Sequence, residues 1–240
     1  MFHRNGPTFF ELAQQALSST ERGYDLLAPK FDYTPFRTPQ FLLELVRDHL
    51  QRLAPFDRIL DVCCGTGAAM ATLLPLCRRQ VVGLDFSRGM LAVGQAQASS
   101  APGEACIDFV RGDALAMPFA SAFDLAVCFG ALGHIPRRDE PRFAAELVRV
   151  LRPGGRFVFV TSYLPRKRSA RYWLARAFNG AMRVRNMLWR PPFIMYYLTF
   201  LLPEAAGLFE RLGCDVEVEE LATDLLPAEY RLVTAARRKG

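Results

Sequence analysis

The chain has 240 residues, 51% of them hydrophobic and 22% charged. That length and composition exclude a disordered chain and leave room for one generous α/β domain whose core needs no disulfide staples. Thirty Lys and Arg against 24 Asp and Glu give a net charge of +6, which by itself hints at an anionic partner such as nucleic acid or a membrane surface.

Taken in chain order, 8–19 reads as a short amphipathic helix, followed by a loop carrying Tyr24, Asp25, Phe31, Asp32 and Tyr33. Thr38-Pro39 reads as an N-cap with Pro at the first helical position. Apolar residues then recur at helical spacing from Phe41 to Leu53, and Pro55 ends the helix. From there strand and helix alternate: strand 58–63, helix 68–77, strand 80–84, a helix capped by Ser87 and running to Ala98, strand 106–110 and strand 123–129. A helix over 140–151 is stopped by Pro153-Gly154-Gly155, and strand 156–161 follows. The strands are apolar on consecutive positions, as strands covered on both faces are. Such alternation predicts a parallel sheet with right-handed crossovers. After Thr161 the rhythm breaks. A basic segment leads to a helix over 204–212, and strands 214–221 and 231–236 read as an antiparallel hairpin at the sheet edge. The expected organisation is one domain: an N-terminal helical cap (1–57), a core (58–161), a basic aromatic insertion (162–203), and a C-terminal helix with edge strands (204–240).

The informative stretch is Ile59-Leu60-Asp61-Val62-Cys63-Cys64-Gly65-Thr66-Gly67. A buried strand ends in an acidic residue and a glycine turn, and a helix begins. Glycines let the backbone approach a ligand closely, and a helix N-terminus favours a negative group. The next strand ends at Asp85, twenty residues beyond Gly65, where a carboxylate is placed to accept both hydroxyls of a ribose. An adenosine-containing ligand at the carboxyl ends of the strands is implied. The third position of a dinucleotide fingerprint is Met70 rather than Gly or Ala, and there is no P-loop Lys, which argues against NAD and nucleoside triphosphates.

These residues resemble the motifs of class I S-adenosylmethionine (SAM) methyltransferases. Asp61 to Gly67 is similar to the first motif and Asp85-Phe86-Ser87 with Met90-Leu91 to the second. Val110-Arg111-Gly112-Asp113-Ala114 with Met117-Pro118-Phe119 is similar to the third, and Phe123-Asp124 through Ile135 to the fourth. Glu146 to Gly155 resembles the helix and turn before the fifth strand. The resemblance covers 58–161, and the Cys63-Cys64 pair is like that of ubiquinone- and menaquinone-type members, although the family more often has glycine at position 63. It implies a Rossmann-like α/β fold with a mostly parallel seven-stranded sheet, helices on both faces and an antiparallel C-terminal hairpin. It implies SAM as cofactor, with S-adenosylhomocysteine as product and no metal. By the resemblance, Asp61, Cys63 and the Gly65–Gly67 turn hold the methionine end, and Asp85 takes the ribose. Phe86 and Met90 pack near the adenine, Asp113 bonds the adenine amino group with Ala114 beside it, and Phe129 and Gly130 lie close to the sulfonium.

A sulfonium methyl is already a strong electrophile, so alignment and exclusion of water are most of the task, and a base matters only if the acceptor must lose a proton. His134 is the candidate catalytic base, or else a brace for its loop. Tyr24 closes over the cofactor or packs the N-terminal arm, and Asp25 and Asp32 read as turn or cap residues. The fourth motif lacks the Asn/Asp-Pro-Pro-Tyr/Phe clamp of amine- and nucleobase-directed methylases.

Residues 163–203 carry eight basic residues (Arg166, Lys167, Arg168, Arg171, Arg176, Arg183, Arg185, Arg190), both tryptophans and no Asp or Glu. Leu174, Ala177, Phe178, Ala181, Met182 and Leu188 fall on one helical face, with Arg185 interrupting it and Gly180 weakening the helix. Such a stretch suits peripheral contact with an anionic membrane, or a lid over an apolar substrate. RNA could use the same arginines and aromatics, but no RNA-binding module is recognisable, and nucleic acid is not the expected partner. The expected acceptor is a hydrophobic small molecule, lipid or quinone. The alternatives are a phospholipid-headgroup or natural-product N- or O-methyltransferase, or a non-catalytic membrane- or RNA-binding protein with this fold. The six cysteines form no metal-like CxxC pair, and reduced thiols point to the cytoplasm, at most peripheral to the inner face of a membrane.

Overall fold

A computed structural model describes residues 3–98, 105–221 and 223–239. Strands β1 (Phe56–Val62), β2 (Cys77–Asp85), β3 (Cys106–Arg111), β4 (Phe123–Cys128), β5 (Leu151–Ser162), β6 (Cys214–Glu220) and β7 (Tyr230–Arg237) form one sheet in the order β3-β2-β1-β4-β5-β7-β6. The first five are parallel, and β7 runs antiparallel to both β5 and β6. The chain leaves β1 toward one edge and returns to build the other half beside it. Between β1 and β4 the carboxyl ends of neighbouring strands therefore splay apart and leave a crevice.

Helices cover both faces. One core layer gathers Leu60, Val62, Phe143, Leu147, Phe157 and Phe159, with Phe200 and Phe209 closing an aromatic cluster. The other gathers Val46, Leu50, Ile59, Met70, Leu73 and Val127. The helices are α1 (Phe9–Leu17), α2 (Thr20–Leu27), α3 (Gln40–Gln51), α4 (Ala68–Leu73), α5 (Arg88–Ala98), α6 (Glu140–Val150), α7 (Ala170–Leu188) and α8 (Glu204–Arg211).

Several elements differ from the sequence reading. The expected loop after residue 19 is α2 followed by a 3-10 stretch, Ala28–Tyr33. Ser19 caps α2 by accepting from the N–H of Arg22 at 3.1 Å, and Gly23 is tolerated because Gln15 and Phe193 occupy the place of a side chain there. Pro39, not Thr38, takes the cap position of α3. The helix expected over 68–77 ends at Leu73, and Pro75 sits in a 3-10 turn that leads directly into β2. β5 runs through Pro153-Gly154-Gly155 rather than starting after it. α7 turns its apolar residues outward: Leu174, Ala177, Ala181 and Leu188 face solvent, and only Tyr172 is buried. Asn179 and Asn186 face inward in their place, bonded to the backbone of Tyr197 and Phe193. Arg185 does not interrupt the outward face either. Its guanidinium donates to the carbonyls of Ala16, Ser18 and Pro191.

Met70 packs where a dinucleotide fold has its third small residue, and it is fully buried. The close approach of α4 to the sheet is kept by a glycine on the opposite side: a Cβ on Gly83 would lie 2.4 Å from Met70 Sδ and 2.7 Å from Cys64 Sγ. Gly83→Ala is therefore expected to cost about 1–3 kcal/mol by overpacking, read as a lower midpoint of urea unfolding. An unchanged midpoint would mean that Met70 and Cys64 give way freely.

Candidate functional site

The crevice at the carboxyl ends of β1, β2 and β4 opens into a cavity. Of the residues singled out from the sequence, Tyr24, Asp61, Cys63, Gly65, Asp85, Phe86, Met90, Phe129, Gly130 and His134 all line it. The chain-local geometry explains much of this. Cys63, Gly65 and Gly67 have φ of 60°, 54° and 83°, so the backbone between β1 and α4 curls through left-handed conformations that glycine adopts without cost. Cys63 sits in the same region as a non-glycine, which strains it by roughly 1–3 kcal/mol. This is the position where the family pattern more often has glycine. A hydrogen bond to the Cys128 thiol, with burial, pushes the Cys63 thiol up, so it is a neutral wall of the cavity.

Asp85 holds two loops together. Its Oδ2 accepts from the Gly65 N–H and its Oδ1 from the Ser87 N–H, each at 2.9 Å. Burial raises its pKa despite these bonds. Asp61 is 1% exposed, and burial followed by the charge of Asp85 raises its pKa well above the ordinary carboxylate range. Its Oδ2 is buried with no hydrogen-bond partner. Arg37, to which the sequence did not point, and Thr38, read there only as a helix cap, reach the cavity from the segment before α3. Arg37 Nε is also buried without a hydrogen-bond partner, 3.7 Å from Asp32 Oδ1. A buried polar atom left unpaired costs free energy that a ligand can return. The cavity lining thus includes a buried carboxyl oxygen without a hydrogen bond and a guanidinium whose Nε is held only by the 3.7 Å ion pair to Asp32.

Tyr24 and His134 meet across the cavity. The imidazole Nδ1 lies 2.5 Å from the Ile194 carbonyl, which can only accept, so Nδ1 carries the proton and Nε2 is free to accept. The Tyr24 hydroxyl, 2.7 Å away, donates to Nε2. Burial lowers the pKa of His134 and raises that of Tyr24, so both are neutral in the folded protein. His134 is therefore braced at both nitrogens and also carries a proton acceptor one hydrogen bond behind Tyr24.

The N-terminal cap is pinned to the core by carboxylates. Asp25 Oδ1 accepts from the Ser87 hydroxyl and the Gly89 N–H at 2.7 and 2.8 Å, so it caps α5 from another part of the chain. Asp32 accepts from the Thr66 hydroxyl at 2.7 Å and from Gln97 at 2.8 Å. Arg111 pairs with Glu21 at 2.6 Å. With Phe31, Phe36 and Leu43, this cap supplies the apolar side of the cavity.

Three expected residues lie elsewhere. Gly67 borders a neighbouring hollow beneath Phe109, because its own turn carries it past the rim. Asp113 is exposed, lies in a shallow recess shared with Phe86, and accepts from the Leu115 N–H. Ala114 is buried in the core layer. Phe86 borders both that recess and the main cavity. Among the described residues, no group of three or more His, Cys, Asp or Glu side chains could hold a metal ion.

Residues 59–155 match the profile of a family described as a methyltransferase domain. A demethylmenaquinone methyltransferase of Symbiobacterium thermophilum is 37% identical over 123 residues, 49% of this chain and 47% of that protein. A 2-phytyl-1,4-naphtoquinone methyltransferase of Synechococcus elongatus is 37% identical over 114 residues, 46% of this chain and 48% of that protein. The chain thus spans about half the length of these relatives. Among solved structures, magnesium protoporphyrin IX methyltransferase from Synechocystis, with bound S-adenosylhomocysteine, superposes with a TM-score of 0.60 at 17% identity, covering 82% of this chain and 83% of that one. At that identity the likeness speaks for the fold.

Proposed function

We propose that this chain, whose core belongs to the class I SAM-dependent methyltransferase family, transfers a methyl group from SAM to a hydrophobic, quinone-type small molecule. The observation that carries the reading is the pair of orphaned atoms in the cavity, Asp61 Oδ2 and Arg37 Nε. A buried carboxyl and a guanidinium, each with one atom lacking a hydrogen bond, match the ammonium and carboxylate of an amino acid, Asp61 giving up its proton as the ammonium binds, and Asp85 at the tip of β2 suits a ribose. SAM is the adenosine ligand that ends in an amino acid. When bound, it supplies an electrophilic methyl on sulfur.

The protein's own contribution is binding, water exclusion and control of one proton. Asp61 and Arg37 hold the amino-acid end, and Asp85 holds the ribose. Phe86 and Met90 flank the base, with Asp113 in the recess that Phe86 also borders and Ala114, next to Asp113 in the chain, in the core. The cap, with Phe31 and Phe36, covers the site. Tyr24 accepts a proton from an acceptor hydroxyl at Oη while donating its own to His134 Nε2, so that a buried imidazolium faces an electron-rich quinolate. Once the ring carbon carries the methyl its C–H proton is lost to solvent, and the relay runs back to return the His134 proton to the ring oxygen. The apolar cap and the naphthoquinone-type relatives support a quinone-like acceptor. The reading includes a reducing, cytoplasmic setting, in keeping with six free thiols. Among the described residues no helix is long and apolar enough to cross a membrane.

Methyl transfer from radiolabelled SAM to a reduced, prenylated naphthoquinone lacking the ring methyl tests the proposal. Label is expected in the organic extract, and Tyr24→Phe should lower the rate by about 10²–10⁴-fold while S-adenosylhomocysteine still binds. Label confined to water-soluble or RNA fractions would overturn the acceptor class.

A second expectation concerns pH. The folded Asp61 carboxyl has a pKa raised above its unfolded value, so its contribution to stability is present at low pH and lost as pH rises through the folded pKa. A bound ammonium competes with that same proton. Affinity for S-adenosylhomocysteine, measured by calorimetry, should therefore rise with pH through the Asp61 titration. Asp61→Asn should flatten and weaken that affinity while raising the melting temperature of the free protein at neutral pH. Binding as tight and as pH-dependent in Asp61→Asn would show that the ammonium sits elsewhere.

A further inference from the structure

α7 is 19 residues long and shows an unusual distribution of side chains. At 3.6 residues per turn, Trp173, Leu174, Val184, Met187 and Leu188 lie on one contiguous side, together with Ala177 and Ala181. That side is exposed: Leu174, Met187 and Leu188 are each more than 70% accessible and Trp173 is 60% accessible. Monomeric proteins seldom leave so continuous an apolar stripe in water.

The outward orientation is built in. Asn179 and Asn186, two turns apart, each make a reciprocal pair of bonds with one backbone unit of the segment that follows: Asn179 with the Tyr197 N–H and carbonyl at 2.8 and 2.7 Å, Asn186 with those of Phe193 at 2.9 and 3.0 Å. Arg185 locks the far end under the last carbonyls of α1. Rotating the helix to bury its apolar side would break all of these bonds.

Charge identifies the occupant. Between α7 and the 193–199 segment runs a groove lined by Arg137, Arg138, Arg176, Arg183 and Arg190, with no Asp or Glu in its lining. An apolar stripe flanked by arginines, on a helix too charged to span, is the arrangement of a helix lying in the plane of a bilayer interface. A second protein copy would meet like charge across such a surface. The basic segment carries no acid that could pair with it.

We propose that α7 docks this protein onto anionic phospholipid bilayers, with Trp173, Leu174, Val184, Met187 and Leu188 entering the acyl boundary and Arg176, Arg183 and Arg190 engaging lipid phosphates. The inference stands apart from the identity of the methyl acceptor. It gives the site a source of apolar substrate, because the segment that receives α7 also touches the cavity residues. Phe193 stacks on Tyr24 at 6.3 Å between ring centroids, and Ile194 accepts the His134 proton.

The chain has two tryptophans, and both belong to this helix or its end, so its intrinsic fluorescence reports on the proposal. The test titrates the full chain, and a Trp189→Phe variant carrying Trp173 alone, with vesicles of phosphatidylglycerol and phosphatidylcholine, and separately of phosphatidylcholine only. Anionic vesicles should shift the Trp173 emission to the blue and carry the protein in flotation, with binding weakened by salt. Leu174→Glu with Leu188→Glu should reduce the vesicle-bound fraction about tenfold or more and leave S-adenosylhomocysteine affinity unchanged. Failure to float with anionic vesicles at low salt would overturn the docking. Flotation with no blue shift would overturn insertion of the apolar side. A concentration-dependent dimer that already shields Trp173 without lipid would assign the stripe to a second copy instead. S-adenosylhomocysteine binding in the same samples keeps these outcomes separate from the catalytic reading.

Discussion

The carboxylate of Asp85 ties two strand ends into one rigid floor. By accepting from Gly65 on one side and Ser87 on the other, it fixes the glycine turn after β1 against the start of α5. The topology makes this possible, because β1 and β2 are parallel neighbours whose carboxyl ends face the same way. Everything above that floor takes its position from it. The turn sets where Asp61 and Cys63 look, and Ser87 is the point on which the N-terminal cap is fastened.

Within the cap, α3 enters the core through Val46 and Leu50, while the helices before it are fastened by polar bonds. Asp25, Asp32 and Glu21 reach from the first helices to Ser87, Gly89, Thr66 and Arg111. The part-buried hydrogen bonds to Asp25 and Asp32 are each worth about 1.5–3 kcal/mol, and the exposed Glu21–Arg111 pair adds about 0–1 kcal/mol. A cap fastened this way can loosen locally while the sheet stays folded. The deeply buried and unpartnered carboxylate oxygen of Asp61 lies beneath it. A buried carboxyl oxygen left without a partner costs folding free energy, and the ammonium of the proposed ligand satisfies it.

What could be read in advance followed from how far apart in the chain the interacting residues lie. The succession of strands, the antiparallel C-terminal hairpin and the positions Asp61, Gly65, Asp85 and Phe129 were legible, because each of these residues sits at the end of a short apolar run with a turn signal beside it. Asp25 read only as a turn or cap residue: it is a cap, but of a helix beginning more than sixty positions later, a relation that periodicity cannot express. Arg37 was invisible for the same reason. Met70 looked like an obstacle until Gly83 on the facing strand was seen to make room for it. The 20–33 stretch hid a helix because what orders it lies far along the chain: Tyr24 meets Phe193 and His134, and Asp25 meets Ser87 and Gly89. On α7 the apolar stripe was recognised and its direction was not, since two asparagines bonded to a remote segment, rather than hydrophobicity, decide which side faces in.

We propose that this cavity holds the amino-acid end of SAM at Asp61, with the sulfur beside Phe129 and Gly130 and facing the Tyr24–His134 pair. A crystal structure of the complex with S-adenosylhomocysteine measures that directly. The account predicts the homocysteine ammonium on Asp61, the carboxylate on Arg37, the ribose on Asp85 and the sulfur facing Tyr24. A ligand bound in the opposite sense, with its adenine against Asp61, or bound outside the cavity, would contradict it.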